Sequence, residues 1–308
     1  MKKYRPKQVR SQGKRHYHLI LNRKASGFSL DAIKKLTTAL TGAGFEYHEI
    51  DSDNIKEVIF QIKRTLPRRP SALIACGGDG TVNLVGRQLI RRTCPLGIFP
   101  LGKTNNIFRS LYGDVNQDTA INHILAGTSR QIDQGLAFGR FFLGSVGVGL
   151  IPRMHEQLEN KRLPRFGIGW SRLAAQSAAS IEARELSIKV DSFAFDLMPT
   201  ILNINLMTYT NGLALTPASL YDDGKCEIVF DIGRGQAVIS KFIRQIHKKK
   251  YLYSDDIRMY RGTRIAIRPV EGMQLYIDGD ITDIPSDELK IQIFPKRIRV
   301  LHRDSTKQ

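Results

Sequence analysis

The chain has 308 residues, 42 % of them hydrophobic and 25 % charged, a balance that gives room for two domains with buried cores and excludes wholesale disorder. No apolar run approaches the roughly 18 residues that span a bilayer, and the opening MKKYRPKQVRSQGKRHYHLIL has no signal-type apolar core, so a cytoplasmic protein is expected. Three scattered cysteines, Cys76, Cys94 and Cys226, form no CxxC pair and exclude a disulfide framework or zinc site, while a net charge of +18 favours a polyanionic partner over neutral ones.

Residues 1–15 read as a flexible basic arm carrying Lys2, Lys3, Arg5, Lys7, Arg10, Lys14 and Arg15. From there strands and helices alternate. His16–Leu21 reads as a strand. Leu30–Thr41 reads as a helix with Ser29 as N-cap and Gly42 and Gly44 as stops. Phe45–Ile50 is a second strand. Ile55, Val58, Ile59, Ile62 and Leu66 recur at helical spacing until Pro67. Ser71–Cys76 is a short apolar strand leading into Gly-Gly-Asp-Gly, with a helix over Thr81–Arg91, and Leu96–Phe99 is another strand. This alternation predicts a parallel sheet with helices on both faces over 16–135, with ligands beyond the carboxyl ends of its strands.

After about residue 135 short β-rich runs dominate: Leu186–Val190, Phe193–Leu197, Ile201–Leu206, Cys226–Phe230, Arg264–Arg268, Gln274–Ile277, Leu289–Phe294 and Ile298–His302. Turn signals at Asp223-Gly224 and Asp278-Gly279 separate them. They predict an antiparallel, sandwich-like second domain over 136–304, interrupted by helices near 168–184 and 236–249, its last strands returning to the first domain. The small apolar face of the 168–184 helix is expected to pack against protein. A second basic cluster comprises Lys241, Arg244, His247, Lys248, Lys249 and Lys250; such runs serve either a polyanion or plain solubility.

The strongest chemical signal is Cys76-Gly77-Gly78-Asp79-Gly80-Thr81-Val82-Asn83. Glycines let backbone N–H groups approach a phosphate, and a helix starting near Thr81 adds its positive end. Asp79 would repel bare phosphate, so its presence points to a bound cation or to a hydroxyl proton it receives. The second signal is Pro100-Leu101-Gly102-Lys103-Thr104-Asn105-Asn106, again strand then helix. Thr104 or Asn105 could cap that helix, or bond a phosphate or an acceptor hydroxyl.

Together GGDGTVN and PLGKTNNIFRSL resemble the catalytic domain of diacylglycerol kinases, sphingosine kinases and bacterial lipid kinases. Further resemblance lies in Asn22 with Ser26-Gly27, in Ile132-Asp133, in Leu220-Tyr221-Asp222-Asp223-Gly224-Lys225 and in Asp278-Gly279-Asp280, covering residues 16–304 in the family's order. The resemblance implies an α/β nucleotide domain, a β-rich second domain and an active site in the cleft between them. It implies ATP held by Asn22, by Gly77, Gly78, Asp79, Gly80, Thr81, Val82 and Asn83, and by Gly102, Lys103, Thr104 and Asn105. It implies a structural Mg²⁺ on Asp223 with the backbone carbonyls of Leu220 and Lys225. Asp280 would be the general base toward a lipid hydroxyl, and Asp79 would orient Mg-ATP or share that role. Asp79→Asn is then expected to abolish phosphoryl transfer and leave the fold intact.

The sequence departs from the family pattern at five places: Arg23 for Pro, Leu84 for Glu, Lys103 for Thr, Gly144 for Asn, and Asp280 for Glu. The last keeps the carboxylate but shortens it by a methylene, and a misplacement of about 1 Å can cost on the order of 100-fold in rate. The expected function is an ATP-dependent lipid kinase acting on diacylglycerol or a related lipid alcohol, peripherally associated with an anionic membrane. The alternatives are a non-catalytic lipid- or nucleotide-binding descendant and an NAD kinase-like small-molecule kinase. A nucleic-acid partner is disfavoured because no zinc spacing or RNA-binding aromatic motif accompanies the charge. The oligomeric state stays open, a homodimer included.

Overall fold

The computed structural model describes residues 15–159, 168–182, 184–232, 236–247 and 255–303. The expected arm up to residue 14 and Lys248, Lys249 and Lys250 lie outside the described residues. The first part runs β1 (His16–Leu21), α1 (Leu30–Gly42), β2 (Glu46–Asp51), α2 (Ile55–Thr65), β3 (Ala72–Gly77), α3 (Asp79–Gln88), β4 (Leu96–Pro100), α4 (Asn106–Tyr112) and α5 (Gln117–Ala126). Ser29 caps α1, its side chain accepting from the Ala32 amide at 3.1 Å. Asn54 caps α2, which buries Val58, Ile62 and Thr65 but leaves Ile55 exposed. The helix after Gly-Gly-Asp-Gly begins at Asp79, two residues before the expected start, with Gly78 as N-cap.

The chain continues with β5 (Ser129–Ala137), β6 (Arg140–Phe142), β7 (Ser145–Gly149), α6 (Leu150–Glu159), α7 (Ile168–Ala179), β8 (Leu186–Val190), β9 (Phe193–Leu197), β10 (Ile201–Asn205), β11 (Tyr209–Thr210), β12 (Leu213–Ala214), β13 (Cys226–Asp231), α8 (Gln236–His247), β14 (Ile257–Gly262), β15 (Arg264–Arg268), β16 (Gln274–Ile277), β17 (Asp280–Asp283) and β18 (Leu289–Leu301). Ten strands form one sheet in the order β2-β1-β3-β4-β18-β15-β8-β9, with β5 and β6 branching from β18. Its β2-β1-β3-β4-β18 part is parallel and the rest antiparallel. The last strand therefore lies beside β4, and the strands 186–197 and 264–268 extend the first sheet. The boundary placed at 135 falls inside β5. A six-stranded antiparallel sheet, β14-β13-β10-β7-β16-β17, makes the second layer.

Alternation along these strands serves two cores. Leu202 and Ile204 on β10, with Ile228 and Phe230 on β13, join the core shared with the large sheet; Ile201 and Val229 join a second core under α6, α7 and α8. The Ala-rich α7 packs there on α6 and α8. The fold is thus a parallel-rich α/β layer plus an antiparallel, sandwich-like sheet. Among the described residues no helix is long and apolar enough to cross a membrane.

Candidate active site

Strands β3 and β4 end side by side, so the two glycine loops meet beyond their carboxyl ends. The approach is backbone to backbone: a Cβ on Gly102 would stand 2.4 Å from the Gly78 Cα, and one on Gly78 3.0 Å from the Gly102 Cα. Gly77 has no room either, since its Cβ would fall 2.3 Å from the Thr81 hydroxyl oxygen. That hydroxyl accepts from the Asn22 amide at 2.9 Å, which ties the end of β1 to α3. Asn105, at φ 47°, closes the second loop on itself: its side-chain oxygen accepts from the Gly102 N–H at 2.8 Å and its amide donates to the Gly102 carbonyl at 2.7 Å.

These loops form one wall of a cleft of about 740 Å³. Of the residues expected to hold nucleotide, Asn22, Gly78, Gly80, Thr81, Asn83, Gly102, Lys103 and Thr104 line it, with the positive end of α3 at its floor. Gly77, Val82 and Asn105 sit behind that lining. Lys103 crosses to the other wall, where its ammonium donates to the Leu158 carbonyl of α6. Leu84, standing where the family has Glu, lines the same cleft.

Asp79 differs from expectation. It is buried and turned away from the cleft into the start of α4. One oxygen accepts from the Asn106 N–H at 2.9 Å, the Asn106 side-chain amide at 3.0 Å and the Thr104 hydroxyl at 3.2 Å; the other accepts from the Ile107 N–H at 2.9 Å. Asp79 therefore caps α4, supplied from 27 residues upstream. Burial pushes its carboxyl above the usual range, against the pull of those donors. Asp79→Asn, expected to spare the fold, instead strips an acceptor from α4 and is no clean probe of chemistry. Asn106, missing from the expected site, links the walls: its side-chain oxygen accepts from the Gly212 N–H at 2.8 Å.

The opposite wall is built around Asp278. It is buried and accepts from the N–H groups of Leu143 at 2.6 Å, Gly144 at 2.9 Å and Ser145 at 2.6 Å. Burial pushes its carboxyl up to about 7 while those three amides pull it back. Gly144 follows from this contact, because a Cβ there would lie 2.6 Å from an Asp278 oxygen. The left-handed residues Asp278 and Gly279 then deliver Asp280 to the cleft, with its side chain 65 % exposed and the Arg140 guanidinium 3.5 Å away. Asp280 is thus the carboxylate that faces the open cavity, whereas Asp79 and Asp278 are enclosed.

The place expected for Mg²⁺ is not part of the cleft lining. One Asp223 oxygen accepts from the Lys225 N–H at 3.0 Å and the other pairs with the Arg261 guanidinium, which also reaches Glu227 at 3.0 Å. The Leu220 side chain is exposed. Asp133 holds the same turn through the N–H groups of Gly224 at 2.6 Å and Lys296 at 2.7 Å. Asp223 is thus engaged by the Arg261 guanidinium, and an ion held there with the backbone carbonyls of Leu220 and Lys225 would have to displace that pairing. Among the described residues no three His, Cys, Asp or Glu side chains are grouped to hold a metal.

Comparison with known proteins agrees with this architecture. Residues 16–137 match the diacylglycerol kinase catalytic domain, and residues 144–302 match the YegS C-terminal NAD kinase beta sandwich-like domain. The diacylglycerol kinase of Bacillus subtilis is 24 % identical over 286 residues, covering 90 % of this chain and 88 % of that protein. One from Staphylococcus saprophyticus is 23 % identical over 248 residues, covering 78 % and 80 %. The crystal structure of a diacylglycerol kinase from Bacillus anthracis superposes with a TM-score of 0.73 at 20 % identity, covering 95 % of this chain and 98 % of that one. An NAD kinase from Archaeoglobus fulgidus in complex with ATP is more distant, with a TM-score of 0.52 at 10 % identity over 94 % of each chain. With two family models spanning nearly all of its described length, the chain belongs to the diacylglycerol kinase catalytic-domain family with a YegS-type C-terminal domain.

Proposed function

We propose that the chain is an ATP-dependent lipid kinase that transfers the γ-phosphoryl group to a hydroxyl of diacylglycerol or a related lipid alcohol. The observation that carries this reading is the pairing of two touching glycine loops with one exposed carboxylate, Asp280, on the facing wall of the same cleft. The loops offer backbone N–H groups and the α3 N-terminus to the phosphates, where a nucleotide-bound Mg²⁺ would supply further charge neutralisation. Asp280 accepts the proton of the acceptor hydroxyl as its oxygen bonds to the γ-phosphorus. The bond from that phosphorus to the bridging oxygen breaks, ADP leaves, and the proton passes on to water. Arg140 and Lys103, both on the lining, supply positive charge near the transferred group. The basic surface docks the protein on anionic lipid, at roughly 1 kcal/mol for each basic side chain near the membrane.

The test is transfer of label from ATP·Mg²⁺ to a panel of lipid alcohols in mixed micelles, with Asp280→Asn as control. A labelled lipid lost in the control, with thermal stability unchanged, is the expected outcome. Undiminished turnover in Asp280→Asn would remove Asp280 from the mechanism. Nucleotide binding with no labelled lipid at all would instead favour a non-catalytic descendant.

A further inference from the structure

A second cavity lies on the first domain, away from the glycine loops. It begins with β1 and β2, which pair in parallel with His16 opposite Glu46 and His18 opposite His48. Residues two apart share a face of a strand, so His16, His18 and His48 gather on one side. The rings of His16 and His18 meet edge-on at 4.8 Å and those of His18 and His48 at 5.5 Å. Helix α2 and the turn after it close over them with Glu57, Gln61, Arg64, Thr65 and Arg68, leaving a cavity of about 430 Å³.

The charges there are unequal. Arg64 and Arg68 face a single carboxylate, Glu57, which already accepts from Gln61 at 2.9 Å; Glu46 is taken up with His16 at 3.7 Å. His18 is 95 % buried, counted from its 5 % exposure, and its Nδ1 has no hydrogen-bond partner. Burial first, and then the positive charge of His16, His48 and Arg68, push its imidazole down to about 4. A metal cation does not suit the place: two guanidinium groups oppose it, and no ligand set is grouped for one among the described residues. An acceptor-rich anion suits it on every count. It would neutralise the arginines and accept from imidazole N–H groups on the cavity wall.

We propose that this cavity is a second ligand site, built for a phosphate-type anion held by Arg68, Arg64 and the imidazoles of His18 and His48. The site shares α2 with the large cleft, whose lining includes Ile55 and Val58 from the start of that helix.

The experiment follows the imidazole signals of the full chain by NMR as inorganic phosphate is added, with His155 of the large cleft as internal control. His18 and His48 are expected to shift saturably as phosphate is added, at a fixed pH. Arg68 is exposed, so Arg68→Ala keeps the fold and is expected to weaken binding about tenfold. Shifts confined to His155, or unaltered in Arg64→Ala and Arg68→Ala together, overturn the proposal. A parallel titration with a short-chain phosphatidic acid separates the sources of the phosphate. Response to inorganic phosphate assigns a soluble ligand, response to the lipid alone assigns a headgroup, and response to neither overturns the site.

Discussion

The two walls of the cleft are each held by one buried carboxylate, and the two are held differently. Asp79 takes four donors from one helix start, two of them side-chain groups, and so fixes α4 to the glycine loop of α3. Asp278 takes three consecutive backbone amides, from Leu143 to Ser145, and so fixes the turn that carries Asp280. Both carboxyls are pushed up by burial, and Asp278 reaches about 7. The lesson is that the acids most enclosed in this site organise it, while Asp280 is the acid that faces the open space.

The sharpest break of that comparison is Asp79→Ala. It leaves the Asn106 and Ile107 amides buried without an acceptor, which should cost about 4 kcal/mol in all, at 1–3 kcal/mol for each stranded group. Urea unfolding should show a lower midpoint with an unchanged slope. A loss below about 1 kcal/mol would mean that α4 is capped by something other than Asp79. Next in size is Gly102→Ala, which forces the two loops apart at their Gly78 contact and should cost about 2–3 kcal/mol. Nucleotide affinity should fall with it, because both loops line the cleft.

The Asp278 wall should answer to pH instead. Its carboxyl titrates near 7 when folded and near 3.8 when not, so the folded state holds the extra proton between those values. Stability contributed by Asp278 is therefore full below about 4 and declines as pH rises towards 7. Asp79, Asp133, Glu227 and Asp231 are pushed up by burial too and act in the same direction. Asp278→Asn should flatten the decline by up to about 4 kcal/mol across that window, read from unfolding midpoints at successive pH values. An unchanged slope would place the decline on the other buried acids.

What could be read beforehand was what lies close in sequence. Strand-then-helix spacing around Gly77–Asn83 and Gly102–Asn106, the Ser29 cap and the apolar period of α2 are local, and local patterns carry the physics that forms them. The direction of Asp79 was hidden because its donors lie 25–28 residues on, at Thr104 to Ile107. Asp278 looked like a turn residue, since Asp-Gly-Asp has good turn chemistry whatever its carboxylate touches. Arg261 reaches Asp223 across 38 residues through the β13–β14 pairing, which no local pattern announces. The sheet that joins β8, β9 and β15 to the parallel strands is likewise a matter of long-range pairing. Its strands were visible one by one, but their neighbours were not.

The smallest effect separates folding from binding within a single motif. Gly77 and Gly78 are required by contacts with Thr81 and Gly102, but a Cβ on Gly80 would meet nothing within 4 Å, and Gly80 already has helical backbone in the first turn of α3. Alanine there restricts the unfolded chain and suits the helix, so Gly80→Ala should stabilise the protein by about 0.5–1 kcal/mol. The space its methyl enters is the cleft itself, beside Thr81 and Asn83. If phosphates sit on this wall, the more stable variant should bind ATP more weakly, because the methyl stands where the backbone must be approached. Higher stability with unaltered ATP affinity would keep Gly80 out of the phosphate contact and leave Gly78 and Gly102 as the glycines that matter.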